Sequence, residues 1–406
     1  MMKRTKVRLG IGAATAAVLV GGALTTAYAS PWSHKGDSYG SNYQSASYNQ
    51  SNQYWMQHNV VTNTTTFKSL SSTVPSNGDV NPYGVAVVPH SMGNLVRGDV
   101  LVSNYNNKAN TAGMGSTIIE INPTTHAKKL FAWLTPSRLP STCPGGVGLT
   151  TGLVVLKNGW VIVASLPTSD GSYMTAHSGC LIVLNSWGKA VSVITGHGIN
   201  GPWDMTAVDN GNNVQIFVSN VLNGISRSTL GQQVNKGTVV RINLWTTTQR
   251  YGISSAVIVA SGLPEMASKD AFIQGPVGLA VWGSTLFISD SLANRIAVIH
   301  FATTRHASGG LGFTLAEGGL LKQPLGIVIL PRSAVILVVN GDNGNLIAVS
   351  TTGRVVLVKA LDTTAVSGSM PGAGSLFGIS TSADGQWAYY VDDISNTLSA
   401  VGPLRG

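Results

Sequence analysis

Oxygen-bearing side chains recur at the ends of short β-rich segments of this sequence, once in each of six similar stretches. They are Asn104, Ser165, Asn220, Asp290, Asn340 and Asp392. Carboxylate and amide oxygens are ligands for a hard divalent cation. Asn and Asp also cap backbone groups at turns, and recurrence in every copy favours that structural role. Asp290 and Asp392 are the best candidate ligands if a cation binds.

Other catalytic and cofactor motifs are weak or missing. "GHGING", residues 196–201, fits a glycine-rich dinucleotide pattern, but Pro202 and another β-rich run follow it instead of a helix, which indicates a turn. "DNGNN" and "GDNGN" lack the downstream Glu of a calcium loop and indicate hairpin turns. The histidines are scattered without metal-ligand spacing, and no G-x-S-x-G nucleophile motif occurs. The sequence therefore predicts no catalytic residue and no cofactor.

The candidate residues belong to an internal repeat. Six segments begin alike: "NPYGVAVVP", "TTGLVVLKNG", "GPWDMTAVDNG", "GPVGLAVWGS", "QPLGIVILPRS" and "LFGISTSADG". Each leads through a turn, such as Asn158-Gly159 or Asp384-Gly385, into a second apolar run, which is typical of a β-hairpin. A third strand follows in every copy and a fourth in the first five, so each copy has the make-up of a propeller blade.

The last copy has no fourth strand of its own, but residues 64–70, "TTTFKSL", supply a spare strand before the first copy. Pairing this N-terminal strand with the last blade would close a ring and remove its open edges. The sequence therefore predicts an all-β fold, a six-bladed β-propeller of four-stranded blades, over residues 64–406.

The fourth copy carries a family resemblance. "GPVGLAVWGSTLFISDSLANRIAVI" resembles the repeats of NHL-type six-bladed β-propellers, distant relatives of the gluconolactonase-like group. The resemblance implies a divalent cation in the central channel, held by the middle residues of several P-x-G segments. Those positions here are Tyr83, Trp203, Val277, Leu325 and Phe377. Because a hard cation needs several oxygen ligands, these residues argue against that metal site.

Trp203 and Asp204 depart most from the repeat, since the aligned segments carry small or aliphatic residues there. Trp203 is interpreted as a channel or core aromatic. Asp204 replaces the glycine of its sister segments, so it either bonds local backbone N–H groups or faces the channel mouth. A structural role is favoured for both residues.

Three long loops and two cysteines mark the first half of the ring. The loops, residues 104–115, 165–179 and 220–237, join second to third strands of neighbouring blades and would rise from one face. Long loops on a rigid scaffold are common binding sites. Cys143 and Cys180 flank the second blade, and a disulfide between them would pin its loop; two separate buried thiols are the alternative.

The N-terminus predicts export. Lys3, Arg4, Lys6 and Arg8 precede an apolar run ending in Ala27-Tyr28-Ala29, the pattern of a signal peptide over residues 1–29, cleaved after Ala29. Residues 30–63, rich in Ser, Asn, Gln and Tyr, are interpreted as a low-complexity flexible leader. No later apolar run is long enough to span a bilayer. We expect a secreted or periplasmic protein.

Charge composition narrows the partners. Loss of those four basic residues lowers the formal net charge from +9 to +5, and the remaining basic residues are scattered, which argues against nucleic acid. Charged residues make up 10% of the chain, against about 25% in typical domains. Such a neutral polar surface suits either low pH or a crowded cell envelope.

Two function classes follow. The favoured hypothesis is a non-catalytic binding scaffold that takes a protein, glycan or small-molecule ligand at the loop-rich face. Its candidate channel and ligand residues are Tyr83, Trp203, Asp204, Asn104, Asn220, Asp290, Asn340 and Asp392. The alternative is a lactonase-like hydrolase or lyase with a divalent-metal site in the channel, for which Asp290, Asp392 and Asp204 are the candidate ligands.

Overall fold

The computed structural model describes residues 60–61, 64–269 and 272–404, and within them the chain forms a ring of six antiparallel sheets. These residues contain twenty-five strands and two short 3₁₀ helices, Pro136–Arg138 and Tyr173–Thr175. No helix among them has the length and apolar character needed to cross a membrane. The predicted signal peptide and nearly all of the predicted leader lie outside the described residues.

Blades 1 to 5 pair their strands in chain order, and blade 6 takes the N-terminal strand β1 as its outermost strand. Blades 1 to 3 contain β2 (Val80–Val87), β3 (Val100–Asn106), β4 (Thr117–Ile121) and β5 (Lys128–Trp133); β6 (Leu149–Val155), β7 (Val161–Ser165), β8 (Cys180–Leu184) and β9 (Ala190–Ile194); and β10 (Pro202–Asp209), β11 (Asn213–Asn220), β12 (Val234–Thr246), β13 (Tyr251–Ser268) and β14 (Phe272–Gln274). Blades 4 to 6 contain β15 (Pro276–Trp282), β16 (Thr285–Asp290), β17 (Arg295–Ile299) and β18 (Phe313–Glu317); β19 (Pro324–Ile329), β20 (Ile336–Asn340), β21 (Asn345–Val349) and β22 (Val355–Ala360); and β23 (Leu376–Thr381), β24 (Ala388–Asp392), β25 (Thr397–Gly402) and β1 (Thr66–Ser72).

The N-terminal strand closes the ring. β1 pairs antiparallel with β25, from Thr66 opposite Gly402 to Ser72 opposite Thr397. The Thr66 hydroxyl adds a hydrogen bond to the Gly402 carbonyl (3.0 Å). The closure leaves β25 paired on both sides, and the predicted six-bladed propeller is confirmed.

The start of every first strand carries a β-bulge, where pairing with the second strand shifts register, as between Pro82 and Val85. A proline is tolerated at a bulge because the ladder does not need its missing N–H there. The glycine that follows has no room for a side chain: a Cβ on Gly278 would overlap the Leu325 carbonyl oxygen, and one on Gly378 that of Tyr83. The glycine of the P-x-G motif thus allows the first strands of neighbouring blades to approach each other closely near the axis.

Apolar side chains fill the spaces between neighbouring blades. Separate buried clusters lie between blades 1 and 2, 2 and 3, 3 and 4, and 4 and 5. The largest cluster spans blades 5, 6 and 1 and continues to the axis through Trp203 and Val277. The faces of each sheet that meet neighbouring blades are therefore buried.

Blade 3 differs from the predicted pattern. The third long loop was expected to run to Gly237, but β12 begins at Val234 and pairs with an extended β13, with Val234 opposite Glu265. β13 continues to Ser268 and folds back on β14. The prediction ended the loop late because "VNKG" lacks the apolar alternation of a strand, whereas the ladder to β13 holds it extended.

The predicted disulfide is confirmed. Cys143 and Cys180 are bonded, with Cα atoms 5.5 Å apart. Cys180 is the first residue of β8, directly after the long loop of blade 2. The bond therefore fixes the base of that loop to the segment that precedes β6.

Candidate functional site

The loop-rich end of the central channel is closed by aromatic side chains, which we call the axial aromatic cluster: Tyr83, Tyr105, Trp203 and Phe377. The Tyr83 ring stacks on Phe377 at 4.0 Å and on Tyr105 at 4.6 Å between centroids. Trp203 lies 6.0 Å from both tyrosine rings. Blades 1 and 3 are not neighbours in the ring, so their contact places Tyr83 and Trp203 at the axis.

The residues at this end of the channel do not fit the cation that the family resemblance implies. Val277 and Leu325 complete the P-x-G positions and are buried in the same hydrophobic cluster. Among the axial aromatic cluster, Val277 and Leu325, only the two tyrosines carry a side-chain oxygen. Burial raises the pKa of both phenols, which disfavours the phenolate form that would bind a cation. Sequence reasoning named Tyr83, Trp203 and Phe377 but missed Tyr105, whose signal was an aromatic directly after Asn104 in "VSNYNN".

The amides at the ends of the second strands hold backbone between segments. The Asn104 side chain donates to the Thr73 carbonyl (3.1 Å), and that of Asn340 donates to the Leu320 carbonyl (2.8 Å). The Asn220 side-chain oxygen accepts the Asn200 N–H (2.9 Å). All three amides are fully buried, and each ties the end of a second strand to a neighbouring connection.

The candidate carboxylates are not brought together. Asp290 is buried in an ion pair with Arg295 (2.9 Å), and Asp392 accepts the Ser395 N–H (3.0 Å) at the following turn. Asp204 lies in the channel wall of blade 3. Among the residues that the structure describes, no group of three or more His, Cys, Asp or Glu side chains is placed to hold a metal ion.

Asp204 reaches across to the next blade. Its carboxylate accepts the Leu279 N–H (3.1 Å), while its own N–H donates to the Ser219 hydroxyl (3.0 Å). Burial raises the Asp204 pKa to about 7, against the opposing effect of backbone hydrogen bonds from Met205 and Leu279. The carboxyl therefore bonds backbone of the next blade and borders the channel.

A second carboxyl lies beside the aromatic cluster, and sequence reasoning missed it. Asp393 follows β24 and is close enough to Tyr83 for its charge to raise the Tyr83 pKa further. Burial, and secondarily the neighbouring Asp392, raises the Asp393 pKa to about 7. The signal was the doubled acid in "YVDDISN", where alignment of Asp392 with Asp290 drew attention away from Asp393.

The three long loops pack together above blades 1 to 3. The Thr168 hydroxyl of the second loop donates to the Ala112 carbonyl of the first (2.5 Å), and the Thr168 N–H donates to Gly113 (3.2 Å). The second and third loops enclose a groove of about 210 Å³, which we call the loop groove. It is lined by Tyr173, Met174, Ala176, Ser178, Asn200, Leu222, Ile225, Ser226, Arg227 and Leu230.

Hydrogen bonds between side chains fix the polar wall of the loop groove, which is formed by Ser178 and Asn200. The Ser178 hydroxyl donates to the Asn200 side chain (2.7 Å), and the Asn200 amide donates to Asn223 (3.3 Å). Asn220 fixes the Asn200 backbone, so a predicted candidate residue supports the groove without lining it. Met174 is 59% exposed and Arg227 is also exposed, which leaves an apolar and a cationic side chain open to a ligand.

Comparison with known proteins gives structural neighbours but no match by sequence. No family model and no curated protein matches the sequence. A gluconolactonase from Xanthomonas campestris is similar in structure, with 12% identity and a TM-score of 0.48 over 81% of this chain and 87% of that chain. Regucalcin, a calcium-binding protein from Agrobacterium tumefaciens, matches at 11% identity and 0.48 over 83% and 94%.

A lyase gives a similar match. An inactive variant of virginiamycin B lyase from Staphylococcus aureus is 13% identical, with a TM-score of 0.47 over 83% of this chain and 99% of that chain. The sheet topology defines a six-bladed β-propeller, and its structural neighbours include a gluconolactonase, regucalcin and a lyase.

Proposed function

We propose that this protein is an exported, non-catalytic binding scaffold whose ligand is held in the loop groove. The observation that carries the proposal is a groove of about 210 Å³ built entirely from two long loops and the strand connection beside them. It lies on the face where aromatic side chains close the channel. Rigid blades that support packed loops are a common basis for recognition.

The groove chemistry favours a ligand with an anionic group and an apolar face. Met174, Leu222 and Ile225 supply apolar surface, whereas Ser178 and Asn200 offer hydrogen bonds. Arg227 is the one charged residue among those that line the groove in the described part of the chain. Since guanidinium binds carboxylates and sulfates through paired hydrogen bonds, acidic glycans are the first class to test, with acidic peptides and small carboxylates next.

If the ligand binds in the loop groove, substitutions in the groove should weaken binding and substitutions on the opposite face should not. We expect Arg227→Ala to weaken binding to an acidic oligosaccharide about tenfold, because the anion loses its charged partner. Arg332→Ala removes an exposed arginine from a first-to-second-strand turn on the opposite face and should leave affinity unchanged. The measurement is binding of the full chain to an array of defined acidic and neutral oligosaccharides and acidic peptides. Binding that survives Met174→Ser combined with Arg227→Ala would place the ligand elsewhere.

A hydrolase or lyase, lactonase-like in chemistry, is the second candidate function. The observation that favours it is Asp393, a carboxyl beside Tyr83 whose pKa burial raises to about 7, the range that suits a general acid or base. Among the described residues, Asp393 belongs to no group of three or more His, Cys, Asp or Glu side chains that could hold a divalent cation. A cation retained in the channel would be the signature of this candidate.

A further inference from the structure

A second cavity lies in the channel on the other side of the axial aromatic cluster. This axial cavity has a volume of about 230 Å³ and is lined by first strands of all six blades. Thr151 and Asp204 mark its inner end, where the Thr151 hydroxyl donates to the Trp203 carbonyl (2.7 Å). The half-buried Val155, Asp209 and Ser380 mark its mouth at the far ends of the first strands, opposite the loop groove.

The wall of the axial cavity is rich in hydrogen-bonding groups. The first strand of each blade is the innermost, and within its sheet it pairs only with the second strand. Its other edge therefore presents backbone N–H and C=O groups toward the axis. A ligand in the cavity meets acceptors and donors from several blades at once.

The charge of this cavity is negative. Its lining residues include Asp204 and Asp209 but no Lys, Arg or His within the described part of the chain. Both carboxylate oxygens of Asp209 already accept hydrogen bonds from hairpin turns, one from the Lys157 N–H of blade 2 (2.6 Å) and one from the Gly211 N–H of blade 3 (2.7 Å). The Asp204 carboxylate accepts the Leu279 N–H (3.1 Å), and a carboxylate has about four acceptor sites, which leaves capacity for a ligand.

Asp204 stands where the ring normally excludes a side chain. The sister blades have glycine at this position, and in blades 4, 5 and 6 a Cβ on that glycine, Gly278, Gly326 or Gly378, would overlap a carbonyl oxygen of the next blade. At blade 3 the Ser219 hydroxyl accepts the Asp204 N–H and donates to the Val277 carbonyl (2.8 Å), the same bridge that Ser103 makes from Gly84 to the Thr150 carbonyl at blade 1. This seam has space for a carboxyl, and the carboxyl borders the cavity.

We propose that the axial cavity binds a small primary amine whose ammonium group is held by the Asp204 carboxylate. An ammonium group carries the compensating charge and three donors, which match Asp204 and nearby backbone carbonyls. The short carbon chain packs against apolar wall residues such as Val85, Val154 and Ile327. A divalent ion is a poorer match, because one carboxylate gives too few charged oxygens. This site is separate from the loop groove and does not depend on the ligand of that groove.

Calorimetric titration of the full chain with propylamine tests the proposal, with 1-propanol as the uncharged analogue and tetramethylammonium as a cation without N–H donors. We expect saturable binding of propylamine alone, weakening below about pH 7 as Asp204 becomes protonated. Asp204→Asn keeps an oxygen acceptor for the Leu279 N–H but removes the charge, and should weaken binding at least about tenfold. Asp170→Asn, an exposed carboxyl on the loop-rich face, is the matched control and should bind as the wild type.

Two results would overturn the proposal: no saturable propylamine binding at tens of millimolar, or binding that Asp204→Asn leaves intact. If Asp204→Asn lowers the melting temperature too far for titration, Asp204→Gly restores the residue of the sister blades and serves in its place. The loop-groove variant Arg227→Ala should leave amine binding unchanged, so failure of one site is distinguishable from failure of the other.

Discussion

Replacing Trp203 by alanine lowers the free energy of unfolding by about 3 to 5 kcal/mol, the range for truncating a large buried aromatic. Trp203 is 5% exposed and contacts both Tyr83 and Tyr105 at the axis. Its loss leaves a cavity that the Tyr83 and Tyr105 rings cannot refill without movement of β2 and β3. Chemical denaturation followed by fluorescence measures the change.

Trp282 provides the matched control for this substitution. It is 47% exposed at the end of β15, so Trp282→Ala should change the free energy of unfolding by no more than about 0.5 kcal/mol. A loss below about 1 kcal/mol for Trp203→Ala would mean that the aromatic cluster is loosely packed. The channel would then be open to ligands from the loop-rich face, contrary to the structure.

Stability should increase as the pH falls from about 8 to about 5. Burial raises the pKa of Glu265 to about 8 and those of Asp204 and Asp393 to about 7. The folded chain therefore binds more protons than the unfolded chain over this interval. The stability that each raised carboxyl pKa contributes is fully present below the pKa of that carboxyl in the unfolded chain. It is lost as the pH rises through the pKa of the same carboxyl in the folded chain. We expect a melting temperature several degrees higher at the acidic end.

Glu265→Gln isolates the largest contributor to this pH profile. The glutamine is neutral at every pH, so the variant should be more stable than the wild type above about pH 8 and should lose the upper part of the slope. Glu317→Gln, at an exposed position on β18, should leave the upper part of the slope, which Glu265 supplies, unchanged. A wild-type melting temperature that rises toward pH 8 would contradict the assignment. The expected profile agrees with the low-pH alternative suggested by the weakly charged composition.

The fold was accessible from sequence because its determinants are local and repeated. The same three features recur at blade spacing: a glycine-containing start, an Asn-Gly or Asp-Gly turn and apolar strands. The spare strand at residues 64–70 predicted that the ring closes by pairing with the last strand, β25. The disulfide was predictable because both cysteines flank one blade. Repetition also exposed Trp203 and Asp204, since a departure is visible only against a pattern.

The candidate sites were less accessible because they depend on contacts between blades. The loop groove brings Met174 of the second loop and Arg227 of the third loop together. The sequence of neither loop predicts that the two loops meet. Glu265 became buried because β13 runs past the length of its sister strands. Asp393 lies one residue after the position that the repeat aligns. Such features arise from how blades and loops pack, which the repeat pattern does not encode.

The most direct test of the account is the metal content of the chain from residue 30 to 406, by elemental mass spectrometry after dialysis, with melting curves recorded with and without chelator. The account predicts no stoichiometric divalent cation and no change in melting temperature with chelator, because aromatic and aliphatic side chains occupy the channel positions that would have to supply oxygen ligands. A stoichiometric cation whose removal lowers the melting temperature would contradict it and favour the lactonase-like or lyase-like candidate.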